Sequence, residues 1–563
     1  MPPLDPARPG RPWRRTGLAL AGILGGAGSA ARGADLGGRA RQGFGGIDWI
    51  VLIAYVAVLL GIGFHFSRRQ RTTEEYFTGG RHINPVLAGI SVFAAYFSII
   101  SYIATPGEYV QFGPTLTLLA PLLAMPLYFC IVGWFVIPVI MRLPITSAFE
   151  LLEARLGLRV RQAGSLCYLS TRFFWMGLIL YTSSTILTRM LDLDPRWANV
   201  IAAAIGAVTT TYTVIGGIRT VMVTEAVQSS MLMVGALLTI ILISRDVGGV
   251  GVWFPRHWEA HWPTPPVFSF DPHVRITLVG AFVTSLIGGV CSTVIDQSAV
   301  QRLLTTRNAA AARRAYLISN LTILTVLALL SLVGAALLTF FRLHPDALPD
   351  RVSAGHNGDL FFPYYISHFL PQGISGMIVA SLLAAAMSCL AGGLNSTTTV
   401  IMKDFVEIWR KGAQADAAKL RTTRALVVGV GVTAVLTSIV MGAISGNLNE
   451  VAGKTVDLLV CPTFGLFFLA IFVKYSTPFG AIWGALYSGA AAAIVGYWDV
   501  FTGLPKLSFL WITPVPFAVS LASGCLFSLL PTRGRPRAVL AGYSAAAAVP
   551  LLAVLAWLIS LRP

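Results

Sequence analysis

Long apolar blocks with almost no charge recur along the whole chain, and they leave few folds open. A hydrocarbon core of about 30 Å needs roughly 20 apolar residues to cross it as a helix, the only open-chain element that satisfies its own backbone there. The chain has 563 residues, of which 55% are hydrophobic and only 12% charged, where a soluble domain carries about one-quarter charged residues. Shorter amphipathic stripes, the mark of soluble helices, do not dominate. The pattern predicts an all-α integral membrane protein.

From Gly46 onward the blocks predict about fourteen spans: 47–66, 85–112, 116–141, 162–188, 197–215, 221–244, 275–299, 314–342, 373–402, 423–444, 456–474, 478–500, 507–531 and 538–560. Residues 46–474 read as the core of the bundle. Within it, 85–244 and 275–474 are the candidate repeats argued below, and 475–563 adds three C-terminal transmembrane helices. The first 45 residues differ. Arg11, Arg14 and Arg15 precede an apolar stretch, Thr16 to Ala27, that is too short to span, and small residues follow. This order fits a secretory signal peptide or a disordered N-terminal extension, with a mis-assigned start codon as the rival account.

The net charge of +17 does not point to nucleic acid, because the basic residues sit in short loops between spans. One alternating set of loops holds most of them, including Arg68, Arg81, Arg142, Arg161, Arg302, Lys403, Arg410 and Arg535. Basic loops stay on the cytoplasmic side, so both termini face outward in a plasma (inner) membrane. Cys130, Cys167, Cys291, Cys389, Cys461 and Cys525 all lie in apolar spans, with neither metal spacing nor a disulfide framework. Most of the histidines lie in loops, which argues against a polytopic membrane enzyme. A sensor built on a transporter fold is the other remote reading. No obligate protein partner is evident.

Transporters of inverted-repeat design bind at helices broken in corresponding places. The second span reads Gly89 to Ser101 with Ser91 and Ser98 among small residues, and runs to Pro106-Gly107. The seventh carries Thr284-Ser285, Gly288-Gly289 and Ser292-Thr293. They sit five spans apart. Small residues let a helix unwind, but they also allow close helix packing, and spacing alone does not choose between these.

The motifs resemble the sodium:solute symporter family, which includes sugar, proline, iodide, monocarboxylate and sialic acid symporters. In order they are Tyr76 to Arg81 (YFTGGR), Ile145 to Arg155, Tyr212 to Val221 with Thr224, Glu225 and Gln228, Asp296-Gln297 with Gln301-Arg302, and Ala384 to Ser388 leading to Asn395-Ser396. The resemblance implies two five-helix repeats of the leucine-transporter type, two broken helices, and sodium-coupled symport of a small organic solute. A proton-coupled or uncoupled cycle on the same fold is the alternative.

The resemblance also implies a sodium site made by the carbonyls of Ala94, Phe97 and Ala385 with the side chains of Ser388 and Cys389. Hard cations take oxygen ligands, and the thiol at Cys389 departs from the Ser or Thr usual in the family. A second sodium would need hydroxyls where Ala391 and Gly392 stand, so one Na+ per cycle is expected. Glu225 falls where the family has an acid near the sodium exit. Solute-lining candidates are Ser98, Ser101 and Tyr102, Thr284, Ser285, Ser292 and Thr293, and Arg172 with Trp175. Ser292-Thr293 replaces the aromatic pair of sugar carriers, which disfavours a glucose-type site. Arg172, inside an apolar span, is a natural partner for a carboxylate, unless it pairs with an internal carbonyl or acid. Asp296 reads as a helix-terminus hydrogen bond.

Overall fold

The computed structural model describes residues 44–560 apart from 68–72, 115, 144, 254–256, 265, 349–352, 411–415, 442–447 and 533. The expected N-terminal signal or extension therefore lies almost wholly outside the described residues. Among the described residues there are only helices and loops. Eleven of the helices among the described residues are long and apolar enough to cross a membrane, or twelve when one bent pair is counted as a span.

Two of the fourteen expected spans are not separate long helices in that count. Those expected at 197–215 and 221–244 lie in one 51-residue element, α6 below, made of two helices joined across a kink at Gly217. The span expected at 456–474 corresponds to a shorter apolar stretch, Leu458–Phe472. Gly217 sits at φ 54°, ψ −162°, a backbone state that side chains with a Cβ avoid, and it breaks helical geometry between the two expected spans.

The elements that matter are α1 (Gly46–Ser67), the pair α2 (Pro85–Tyr96) and α3 (Ile99–Phe112), α4 (Leu116–Ile131), α5 (Leu158–Met190) and α6 (Trp197–Val247). After them come the pair α7 (Leu278–Ile295) and α8 (Gln297–Leu304), α9 (Ala309–Leu343), α10 (Ile374–Ile401), α11 (Asp416–Met441) and α12 (Leu448–Phe472). Three more helices follow, α13 (Pro478–Gly496), α14 (Pro514–Ser528) and α15 (Arg537–Ser560).

Helix starts follow the local chemistry. Asn84 accepts from the Val86 amide with Pro85 in the first turn, Thr277 accepts from Gly280, and Asn308 from Ala311; each satisfies an amide that has no partner within its helix. α10 is the centre of the bundle and is almost wholly buried, whereas α15 lies at the periphery with little of it buried. It packs against α1, α2, α5 and α6. Its N-terminus is stapled to α1 by the buried carboxylate of Asp48. That group accepts from the Gly373 amide at 2.7 Å, the Gly376 amide at 2.8 Å and the Ser375 hydroxyl at 2.7 Å, and a negative charge is favourable at a helix N-terminus.

Both expected broken helices are present. α2 and α3 meet at 67°, with Phe97 and Ser98 extended between them. The second break lies later than the glycine pair suggests: α7 runs straight through Gly288-Gly289 and ends at Asp296, which then caps α8 by accepting from the Ser298 amide. Gly289 instead allows close packing, since a Cβ there would stand 2.7 Å from the Tyr128 ring.

Two basic residues assigned to loops are inside the protein. Arg161 is 8% exposed and pairs with Asp404; Arg302 has no exposed surface at all. Of the cysteines, Cys291, Cys389 and Cys461 are buried, Cys167 and Cys525 are half-buried, and Cys130 is exposed.

Candidate functional site

The two breaks face one cavity of ≈ 230 Å³. The end of α2 gives Ala95 and Tyr96, and α5 gives Tyr168, Thr171, Arg172 and Trp175. The end of α7 gives Ser292, Ile295 and Asp296, and α12 closes the wall with Val460 and Thr463. The lining is mostly apolar and aromatic with a few polar groups, the usual make-up of a small-molecule site.

Arg172 does not project into the cavity as a free cation. Its Nη2 donates to both oxygens of Asp296 at 2.8 and 3.0 Å, its Nε donates to the Tyr168 hydroxyl at 3.2 Å, and the guanidinium lies 5.8 Å from the Tyr168 ring centre. Charge in the bilayer core is tolerated when paired, and Asp296 supplies the pairing. Asp296 thus carries more than the helix-terminus hydrogen bond expected of it: it caps α8 and holds Arg172.

Of the solute-lining candidates, Arg172, Trp175 and Ser292 line the cavity, and Ser98, Ser101, Tyr102, Thr284, Ser285 and Thr293 are not in its wall. Tyr102 is buried against Phe362, with its hydroxyl donating to the Leu232 carbonyl. Thr284 donates to the Leu510 carbonyl, and Thr293 is bonded to Gly289 and Tyr316. Ser98 sits in the first break, fully buried, and its hydroxyl has no partner among the described residues. The lining residues missed from sequence are Ala95, Tyr96, Tyr168, Thr171, Ile295, Asp296, Val460 and Thr463. Tyr168 lies four residues before Arg172, a spacing that shares its helix face, and Thr171 is the adjacent residue. Nothing local marks Val460 or Thr463.

The residues proposed to hold a cation lie just behind this wall. The Cys389 thiol donates to the Ala95 carbonyl at 3.2 Å and accepts from Trp175 Nε1 at 3.4 Å, so it joins two cavity-lining residues to α10. Ser388 Oγ is 3.1 Å from the Ala385 carbonyl, which brings two oxygen donors together on one helix. Ala94 and Phe97 flank the turn at which α2 leaves helical geometry. The oxygen donors fit a hard monovalent cation.

Beside these residues, held by α6 and α8, is a closed ion pair. Glu225 of α6 and Arg302 of α8 are both fully buried and bonded to each other. Ser91 of α2 bonds the Glu225 carboxylate and accepts from Arg302 Nε at 2.7 Å, and Arg302 Nη1 donates to the Ser298 carbonyl at 2.7 Å. A Cβ on Gly392 of α10 would lie 2.8 Å from Arg302 Nη2. Ser91 precedes Ala94 by three residues and Gly392 follows Cys389 by three, so the pair lies next to the cation residues on both helices. Glu225 is therefore not solvated at a helix end. A chain of contacts links it to the cavity: Tyr168 donates to Ser396 at 2.8 Å, and Ser298 Oγ is 2.9 Å from Ser396 Oγ.

Comparison with known proteins agrees with this geometry. Residues 76–488 match the Sodium:solute symporter family. A sodium/sialic acid symporter, NanT of Aliivibrio fischeri, is 30% identical over 456 residues, covering 79% of this chain and 87% of that protein. The sodium-dependent multivitamin transporter of Oryctolagus cuniculus is 28% identical, over 80% of this chain and 70% of the transporter. Among solved structures, a substrate-bound, outward-open Na+-coupled sialic acid symporter superposes with a TM-score of 0.74 at 27% identity, over 86% of this chain and 98% of that one. MHP1, a nucleobase-cation-symport-1 family transporter, shares the fold at a TM-score of 0.50 and 16% identity. These relatives are transporters and not enzymes, and the chain belongs to the sodium:solute symporter family as a multi-pass membrane protein.

Proposed function

We propose that this chain carries a small organic solute across the plasma membrane by sodium-coupled symport, with one Na+ per cycle and both termini on the outer side. The observation that carries the reading is the junction of cavity and cation residues. Ala95 and Trp175 line the cavity, and both are bonded to Cys389 beside Ser388. A cation that orders the α2 break and α10 thereby orders the wall the solute touches. Sodium and solute then tighten each other's binding by the same factor.

In this reading the carbonyls of Ala94, Phe97 and Ala385 and the hydroxyl of Ser388 hold the ion. Cys389 completes the shell without contributing an oxygen. The repeats 85–244 and 275–474 move against each other around the site, while Ser98, Ser101 and Tyr102 on the outer half of the first broken helix follow that motion. Glu225 lies on the exit path, and the ion leaves when the Arg302 pair opens. A proton-coupled cycle would need a free carboxylate, and the pairing of Glu225 with Arg302 weighs against it. One cation moving down 100 mV gains about 2.3 kcal/mol, enough for a carrier that scavenges a dilute solute.

The test is the thermal stability of the purified protein in sodium against potassium or choline, across acids, sugars and amino acids. Only ligands of the folded state stabilise it. A sodium-specific rise that grows with one solute supports the proposal. Stabilisation by a solute that is indifferent to sodium and varies with pH would replace it with proton coupling.

A further inference from the structure

Among the described residues, Arg172 and Asp296 are the only charged residues in the cavity wall, and they face it as a matched pair with capacity left over. Arg172 uses Nε on Tyr168 and Nη2 on Asp296, while Nη1, with its two N–H donors, makes no hydrogen bond among the described residues. Asp296 Oδ1 accepts from Ser298 and Arg172, and Oδ2 accepts only from Arg172, at 3.0 Å. An ionised carboxylate oxygen has room for more. Both side chains are almost buried, 8% and 12% exposed. The wall thus offers a donor and an acceptor of opposite charge side by side, framed by Tyr96, Trp175, Ile295 and Val460.

From this we infer that the transported solute is a small zwitterion of the amino-acid type, its carboxylate on Arg172 Nη1 and its ammonium on Asp296. The inference rests on the reading of this cavity as the solute site. A simple monocarboxylate would satisfy Arg172 but bring a second negative charge against Asp296 in a place with little water, and a simple amine would do the reverse against Arg172. A zwitterion meets both charges and leaves the resident ion pair intact. The cavity, at ≈ 230 Å³, lies below the usual range for ligand sites, about 300–1,000 Å³, which favours a compact molecule.

The experiment is calorimetric titration of the purified full-length protein in saturating sodium. The panel is the twenty common amino acids, the deaminated and decarboxylated partners of each binder (propionate and ethylamine for alanine), and N-acetylneuraminate, lactate and glucose. An amino acid should bind at least about a hundredfold more tightly than either partner, because a site built for a polar group rejects an analogue lacking it. Asp296→Asn, which keeps an N-capping side chain, should weaken the amino acid and strengthen its deaminated acid, narrowing or reversing that ratio.

Propionate, lactate or N-acetylneuraminate binding as tightly as every amino acid overturns the zwitterion, and so does the absence of any amino-acid binding. If an anion binds and Arg172→Gln removes it, the cavity remains the solute site and only the substrate class falls. If an amino acid binds with unchanged affinity in both Arg172→Gln and Asp296→Asn, the solute site itself lies elsewhere.

Discussion

Replacing Arg302 by alanine removes one half of an ion pair in which neither side chain has any exposed surface. The structure sets the size of the effect. Arg302 bonds Glu225, the Ser91 hydroxyl and the Ser298 carbonyl, so the substitution leaves a bare carboxylate with one hydroxyl for company. Breaking a buried pair from one side costs about 3–5 kcal/mol. Neutralising both sides removes the uncompensated charge, so Glu225→Gln combined with Arg302→Met should recover most of that loss. A double-mutant cycle from denaturant unfolding of the purified protein should therefore show coupling of about 2–3 kcal/mol between the positions. Single substitutions that each cost under about 1 kcal/mol, and that add, would mean the pair is hydrated and does not seal the path beneath the cation residues.

Other consequences can be checked alongside. Ser388→Ala removes one proposed sodium ligand and should raise the sodium concentration for half-maximal uptake about tenfold, equivalent to about 1.4 kcal/mol; an unchanged sodium dependence would remove Ser388 from the site. Cys389→Ser exchanges a poor ligand for an oxygen and should lower that concentration, measured in the same assay. Gly392→Ala pushes a Cβ to 2.8 Å from Arg302 Nη2 and should lower stability by about 1–3 kcal/mol, read as a fall in melting temperature. Trp175→Phe deletes the indole N–H that reaches Cys389 and should weaken the mutual dependence of sodium and solute binding more than it weakens either alone, as titrations of each with and without the other would report.

Sequence alone was enough for whatever depends on local length and polarity. The apolar runs matched helices nearly one for one, because a helix in lipid must satisfy its own backbone and so must be long and apolar. The first break was legible, as the serines around Phe97 and Ser98 suggested. The second was placed too early because glycine signals two different things. Gly289 fits beside Tyr128 within an unbroken helix, whereas Asp296 ends one helix by capping the next. The site's electrostatics were least legible. Arg172 meets Asp296 across 124 positions of chain and Glu225 meets Arg302 across 77, and no periodicity encodes such pairings. Arg161 and Arg302 look like loop charges by composition and are buried because Asp404 and Glu225 wait for them.

Sodium coupling is the claim on which the rest depends, and uptake into proteoliposomes tests it most directly. Vesicles holding the purified protein would be given an inward sodium gradient, an inward proton gradient, or neither, with a radiolabelled solute identified by binding. Accumulation above the outside concentration is expected with the sodium gradient alone, collapsing when sodium is equalised across the membrane. Equal accumulation under the proton gradient, or equilibration without accumulation in every condition, would contradict it.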